Sequence, residues 1–215
     1  MTFIRINKKE WDRKEYFDHY LNQQTTFSMT SNIDITKLLV ELKKRHLKIY
    51  PAFIYLVSKV ANSHKEFRMA MDSNGEVGYW GEVYPSYTIF DQEAHTFSSI
   101  WTKGLHDFAL FHSSYEKDVD LYKNTGKLFP KTPVPENTIP ISMIPWSSFT
   151  GFHLSVNNGG NYLSPIITSG KFSQLNGRTI LPVSVQVHHA VCDGYHASLF
   201  INELQLLADS CENWI

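Results

Sequence analysis

The sequence predicts an α+β fold: one domain over residues 1–215, built as a single-domain two-layer sandwich whose mixed, mainly antiparallel sheet is covered by helices. Three observations predict it. Strand-like and helix-like segments mix without the strict alternation that marks a parallel α/β chain. Short turn signals, "DSNG" (72–75) and "SQLNG" (173–177), join strand patterns as hairpins do. No repeat, low-complexity tract or charged linker marks a boundary, and a chain of 215 residues can bury roughly 70% of its unfolded surface in one core.

Taken in order, "TFIRI" reads as a short strand and "EWDRKEYFDHYLNQ" (10–23) as an amphipathic helix. "TTFSMTSNID" is extended and ends at Asp34, expected as the N-cap of a helix whose stripe is Ile35, Leu38, Leu39 and Leu42. Pro51 suits the opening of "PAFIYLVSKVANSH", a helix apolar nearly all round and so buried. Strands are expected at "FRMAM", "VGYWGEV", "SYTIF" and "TFSSIW", then a long helix at "LHDFALFHSSYEKDVDLYKN" (105–124). After the proline-rich loop "FPKTPVPENTIP" come strands at "ISMIPW", "GFHLSV", "YLSPIITSGKF" and "RTILPVSVQVHHAV". The last helix, "YHASLFINELQLLADS", carries the stripe Ala197, Phe200, Ile201, Leu204 and Leu207.

Composition narrows the function classes. Twenty basic against 21 acidic residues give no electrostatic footprint for nucleic acid or an anionic membrane. The first residues are too polar for a signal peptide and no apolar run reaches spanning length, so a soluble cytoplasmic protein is expected. Two cysteines, Cys192 and Cys211, are too few for a disulfide framework or zinc ribbon.

The chemistry concentrates in "VSVQVHHAVCDGYHASLF" (183–200). Strand parity puts Leu181, Val183, Val185, Val187 and His189 on one face and Pro182, Ser184, Gln186 and His188 on the other. An imidazole that ends an apolar row is partly desolvated, which favours its neutral form and keeps it available as a base. Plainer readings stand beside this one: a core histidine bonded to a carbonyl, Asp193 as helix N-cap, Gly194 as a turn residue, Cys192 as a small buried apolar group. Cys192 as an acyl-accepting thiol is a further alternative, opposed by its strand parity. A metal site of His188, His189, Asp193 and His196 is disfavoured because adjacent strand residues point apart, so no metal is expected.

The run "HHAVCDG" fits His-His-x-x-x-Asp-Gly, the mark of a superfamily of CoA-dependent acyltransferases. Along with "EWDRKEYFDHY", "FSMTSNIDIT", "YPAFIYLVSKV", "HTFSSIW", "ISMIPW" and "VSVQVHHAVCDG", essentially the whole chain resembles the chloramphenicol acetyltransferase family. The resemblance implies the CoA-dependent acyltransferase fold and acetyl transfer from acetyl-CoA, as co-substrate, to a hydroxyl of chloramphenicol, which inactivates the antibiotic. His189 then falls on the general base, in agreement with the parity argument. Ser142 falls on the donor to the tetrahedral oxyanion, where its plainer role is a bond to a nearby carbonyl. Asp193 pairs with Arg13 of the first helix to fix the turn that aims His189, although Arg13 alone reads as part of a solvated helix face.

The antibiotic pocket is implied at Tyr20, Phe27, Thr88, Phe97, Phe152, Leu154 and Thr168, each aromatic taken singly being more readily explained as core. No glycine-rich phosphate loop is present, and CoA contacts are implied at Lys48, Tyr50, Trp146 and Lys171; Lys43, Lys44 and Arg45 read more plainly as complementing a helix C-terminus. The family is a homotrimer, with His189 from one chain and much of the drug pocket from its neighbour. Two alternatives remain at this point: an acyltransferase of the same fold acting on another hydroxyl or thiol, and a non-catalytic binder of apolar drugs.

Overall fold

The structure is a computed structural model and describes residues 2–104, 106–156 and 160–215. Among them the chain forms β1 (Phe3–Arg5), α1 (Lys14–Asn22), β2 (Thr26–Asp34), α2 (Thr36–Lys44) and α3 (Ile49–Ser63). There follow β3 (Met69–Met71), β4 (Val77–Trp80), β5 (Tyr84–Asp91), β6 (Thr96–Trp101), α4 (Phe108–Tyr122) and β7 (Thr138–Met143). β8 (Ile166–Ser169), β9 (Ser173–Leu175), β10 (Arg178–His188) and α5 (Gly194–Asp209) complete the order.

The main sheet runs β2-β10-β8-β7-β5-β6, with β9 hairpinned onto β10; β1, β4 and β3 make a smaller sheet. Among the described residues only β5–β7 and β7–β8 are parallel, so the expected mixed, mainly antiparallel arrangement is present. The β9–β10 turn places Asn176 at φ 50° and Gly177 at φ 78°, the pair of positive angles that a tight hairpin turn needs.

Alternation sorts the sheet into two faces. Leu181, Val183, Val185 and Val187 of β10, Ile139 and Ile141 of β7, Ile167 of β8 and Tyr87 of β5 enter one apolar core with α2, α3 and α5. The apolar run of α3 explains its place: residues 51–58 are all buried. Pro51 lies in its first turn, where a missing N–H costs nothing. The opposite face is polar. Register sets Thr30, Ser184, Thr168 and Ser142 in one row across β2, β10, β8 and β7.

Several local expectations are corrected. "GFHLSV" is not a strand: residues 151–156 are irregular and cross the polar face, where side chains of β2 and β10 bond the backbone of Phe152 and Leu154. Phe152 N–H donates to Thr30 Oγ1, Ser184 Oγ donates to Phe152 O, and Leu154 N–H donates to Gln186 Oε1. α1 starts after Arg13, which occupies the N-cap position and is not within the helix. Ile35, not Asp34, precedes α2; Asp34 Oδ1 instead accepts from the Thr36 amide and hydroxyl at 2.9 and 2.6 Å. In "FRMAM", Phe67 and Arg68 belong to a 3-10 turn, and strand begins at Met69. The long helix begins at Phe108 with Asp107 as its cap, and Leu105 lies outside the described residues. No described helix is long and apolar enough to cross a membrane.

Candidate active site

β10 ends at His188, and the two histidines leave it in opposite directions. His188 is 3% exposed and borders a cavity of about 260 Å3 together with Gln24, Thr26, Tyr162 and Gln186. Its Nδ1 accepts the Ala190 N–H at 3.1 Å, which puts the proton on Nε2. Burial lowers its pKa and keeps it neutral.

His189 belongs to the apolar side. Its amide donates to Thr25 O at 2.8 Å. Its ring stacks on Tyr20 with centroids 3.8 Å apart and planes 6° from parallel, and meets the edge of Phe27 at 5.2 Å. Nδ1 lies 3.1 Å from Cys192 O. A carbonyl can only accept, so Nδ1 carries a hydrogen, and in the neutral ring Nε2 has the free lone pair. That nitrogen makes no hydrogen bond among the described residues, and can accept a proton.

The turn after β10 is held from outside. Arg13 Nε donates to Ala190 O at 3.0 Å, Nη2 to His189 O at 3.0 Å, and Nη1 to Asp193 Oδ2 at 2.9 Å. Asp193 caps α5 and accepts the Tyr195 N–H at 3.0 Å. Burial alone would raise its carboxyl, but the bond and charge of Arg13, with His196 beside it, outweigh that and hold it at about 2. Cys192 is buried, which pushes its thiol well up, and Sγ–H faces Glu66 O. A thiol so placed is no nucleophile.

Ser142 sits at the polar end of β7 with its Oγ 3.1 Å from Thr168 Oγ1. Its strand is less buried than its apolar neighbours suggested, and its partner is a hydroxyl rather than the carbonyl of the plainer reading. Nearby, the β5–β7 ladder stops at Tyr87 and Ile141. Tyr50 Oη takes over there, 3.3 Å from the Thr88 N–H that donates to it and 3.5 Å from Ile141 O. Burial pushes the Tyr50 hydroxyl up to about 12.

One chain does not join these groups. From Ser184, which shares a row with Ser142, His189 lies five residues further along the chain, one past the end of β10; two strand spacings and that rise separate the pair by about 19 Å. Tyr20 and Phe27 surround His189. Thr168 is bonded to Ser142, and Thr88 and Tyr50 meet beside the carbonyl of the preceding residue, Ile141. Phe152 and the exposed Leu154 lie over β2 and β10. Phe97 stands opposite Phe90, on whose ring the exposed Trp146 packs at 4.6 Å. Lys48 precedes α3, and the exposed Lys171 donates its N–H to Ser147 O.

A family profile described as "Chloramphenicol acetyltransferase" matches residues 1–205. A Staphylococcus aureus protein of that name is 54% identical over 215 residues, covering all of both chains. The chain belongs to the chloramphenicol acetyltransferase family. A solved chloramphenicol acetyltransferase of 22% identity superposes with a TM-score of 0.88 over 96% of this chain and 100% of that one. The cubic core of a pyruvate dehydrogenase multienzyme complex, 17% identical, follows at 0.70 over 91% of this chain and 88% of that one. Both likenesses carry the fold, and membership makes this chain an acyltransferase.

Within the family motif, sequence reasoning missed how the turn is wired. The carbonyl of Cys192 and the imidazole of His196 are both part of it. Asp193 and His196, at N-cap and N3 spacing, were a legible signal.

Proposed function

We propose that this chain transfers the acetyl group of acetyl-CoA to a hydroxyl of chloramphenicol, inactivating the antibiotic, in a ternary complex without an acyl-enzyme. The observation that carries the proposal is the commitment of His189 Nδ1–H to Cys192 O, which makes Nε2 the nitrogen with the free lone pair in the neutral ring, in a member of the family. Nε2 takes the hydroxyl proton as the oxygen attacks the thioester carbonyl, a step in which a placed base contributes about 10²–10⁴-fold. Ser142 donates to the tetrahedral oxyanion while Thr168 donates to Ser142, which frees the serine hydrogen. Collapse expels the CoA thiolate, which takes the proton back from the imidazolium.

Tyr20, Phe27, Phe97, Phe152 and Leu154 supply apolar walls for the drug, with Thr88 and Thr168 as polar contacts. Lys48, Trp146 and Lys171, all exposed, are suited to the nucleotide end of CoA, and Tyr50 shapes the gap between β5 and β7. The separation of Ser142 from His189 supports a site assembled from two copies, and a cytoplasmic homotrimer with one site per interface satisfies it. Thiol release from acetyl-CoA, followed with chloramphenicol and a panel of other alcohols and thiols, tests the function. Fast release with chloramphenicol and acetylation of the drug are expected; turnover with another acceptor alone refutes the substrate, and none at all refutes the reaction.

A further inference from the structure

We infer that His196 is a positioning residue for His189, acting through the single peptide group that joins Cys192 to Asp193. The carbonyl of that peptide accepts His189 Nδ1–H at 3.1 Å, and its N–H donates to His196 Nδ1 at 3.3 Å. Two imidazoles therefore grip opposite ends of one amide dipole. Donation by the amide N–H places more charge on its oxygen, so the two bonds strengthen each other.

A competing bond uses the same atom, because Asp193 Oδ1 lies 2.9 Å from His196 Nδ1. Nδ1 cannot accept from the amide and donate to the carboxylate at once. The remaining partners decide. The carboxylate keeps a donor on each oxygen either way, Oδ1 from the Tyr195 N–H and Oδ2 from Arg13. The Asp193 N–H has no other acceptor among the described residues, and leaving an amide unpaired is the costlier outcome. His196 is thus the Nε2–H tautomer, opposite to His189. It orients the base as a carboxylate does in a hydrolase triad, but without a charge and with a peptide between.

The inference rests on reading His189 as the base, and one set of variants separates the two ideas. His196→Ala should lower kcat about ten-fold, short of the hundred-fold that a 1 Å misplacement can cost, with both KM values within two-fold. His196→Gln should recover most of the loss, since glutamine at N3 normally reaches back to the N-cap amide. Unchanged kcat in His196→Ala, or no recovery in His196→Gln, overturns the positioning role. If His189→Ala keeps full turnover, the base itself is misassigned. A measurement on the unaltered enzyme guards against misfolding: histidine 15N shifts should show hydrogen on Nδ1 of His189 and on Nε2 of His196. Hydrogen on Nδ1 of neutral His196 overturns the inference.

Discussion

Arg13 Nη1 donates to Asp193 Oδ2 at 2.9 Å, with the same guanidinium bound to the carbonyls of His189 and Ala190. Three donors in one plane fix both the end of the turn and the backbone of the base. A lysine keeps the charge and loses the fork. Arg13→Lys is expected to cost about 2 kcal/mol of stability, the scale of a lost hydrogen bond to a charged group, read as the urea midpoint. Its kcat should fall further than its KM values rise, because what is lost is the aim of His189.

Acid should release the same clamp. The folded Asp193 carboxyl titrates at about 2, below the ordinary aspartate value of about 3.9. A depressed carboxylate adds stability that is fully present above the unfolded value and lost as pH falls through the folded one. The part of the stability difference between the unaltered chain and Asp193→Asn that comes from this carboxyl is therefore fully present above about pH 5. It narrows between about pH 4 and 2. A difference that changed near neutrality would assign the pH dependence to another group.

Much of this was legible because the relevant patterns are local. Parity separated His188 from His189 before any coordinates, since a two-residue period needs only a regular strand, and β10 is regular to its last residue. Asp193 as a cap and Asn176-Gly177 as a hairpin turn were readable for the same reason. "GFHLSV" has the apolar alternation of a strand, yet its partners are side chains of β2 and β10, and no local pattern shows which neighbour a segment meets. The tautomer of His189 was out of reach too, since it depends on where a carbonyl three residues later points.

Cys192 offers a sharp contrast between side chain and backbone. Its carbonyl holds His189, while its thiol is buried and pushed well up. Cys192→Ala should keep turnover within two-fold and lose about 1 kcal/mol of stability from the small void. A burst of acylated enzyme that disappears in this variant would reinstate the thiol.

Gly78 tests the small sheet apart from chemistry. A Cβ there would sit 2.5 Å from Ile4 O and 2.6 Å from Phe3 Cζ, so β1 has to move off β4. Overpacking of this kind costs about 1–3 kcal/mol. Gly78→Ala should lower the thermal midpoint and accelerate exchange of the β1 amides, with kcat and KM of the folded fraction unchanged.

The distance between Ser142 and His189 gives the most direct test of a shared site. Each variant alone should be crippled: Ser142→Ala by about 10²–10³ in kcat through loss of an oxyanion donor, and His189→Ala by about 10²–10⁴ through loss of the base. If both groups served one site within a chain, mixing the two variants could never restore activity. At about 19 Å apart they cannot, so the proposed site takes its imidazole from one copy and its hydroxyl from the next. In a ring closed by head-to-tail contacts, random mixing of equal amounts pairs an intact histidine with an intact serine at about one interface in four. Refolding the two variants together should thus recover about a quarter of the unaltered rate, and folding them apart before mixing should recover none until subunits exchange. Mixed assemblies no more active than their parents would place both groups in a single chain.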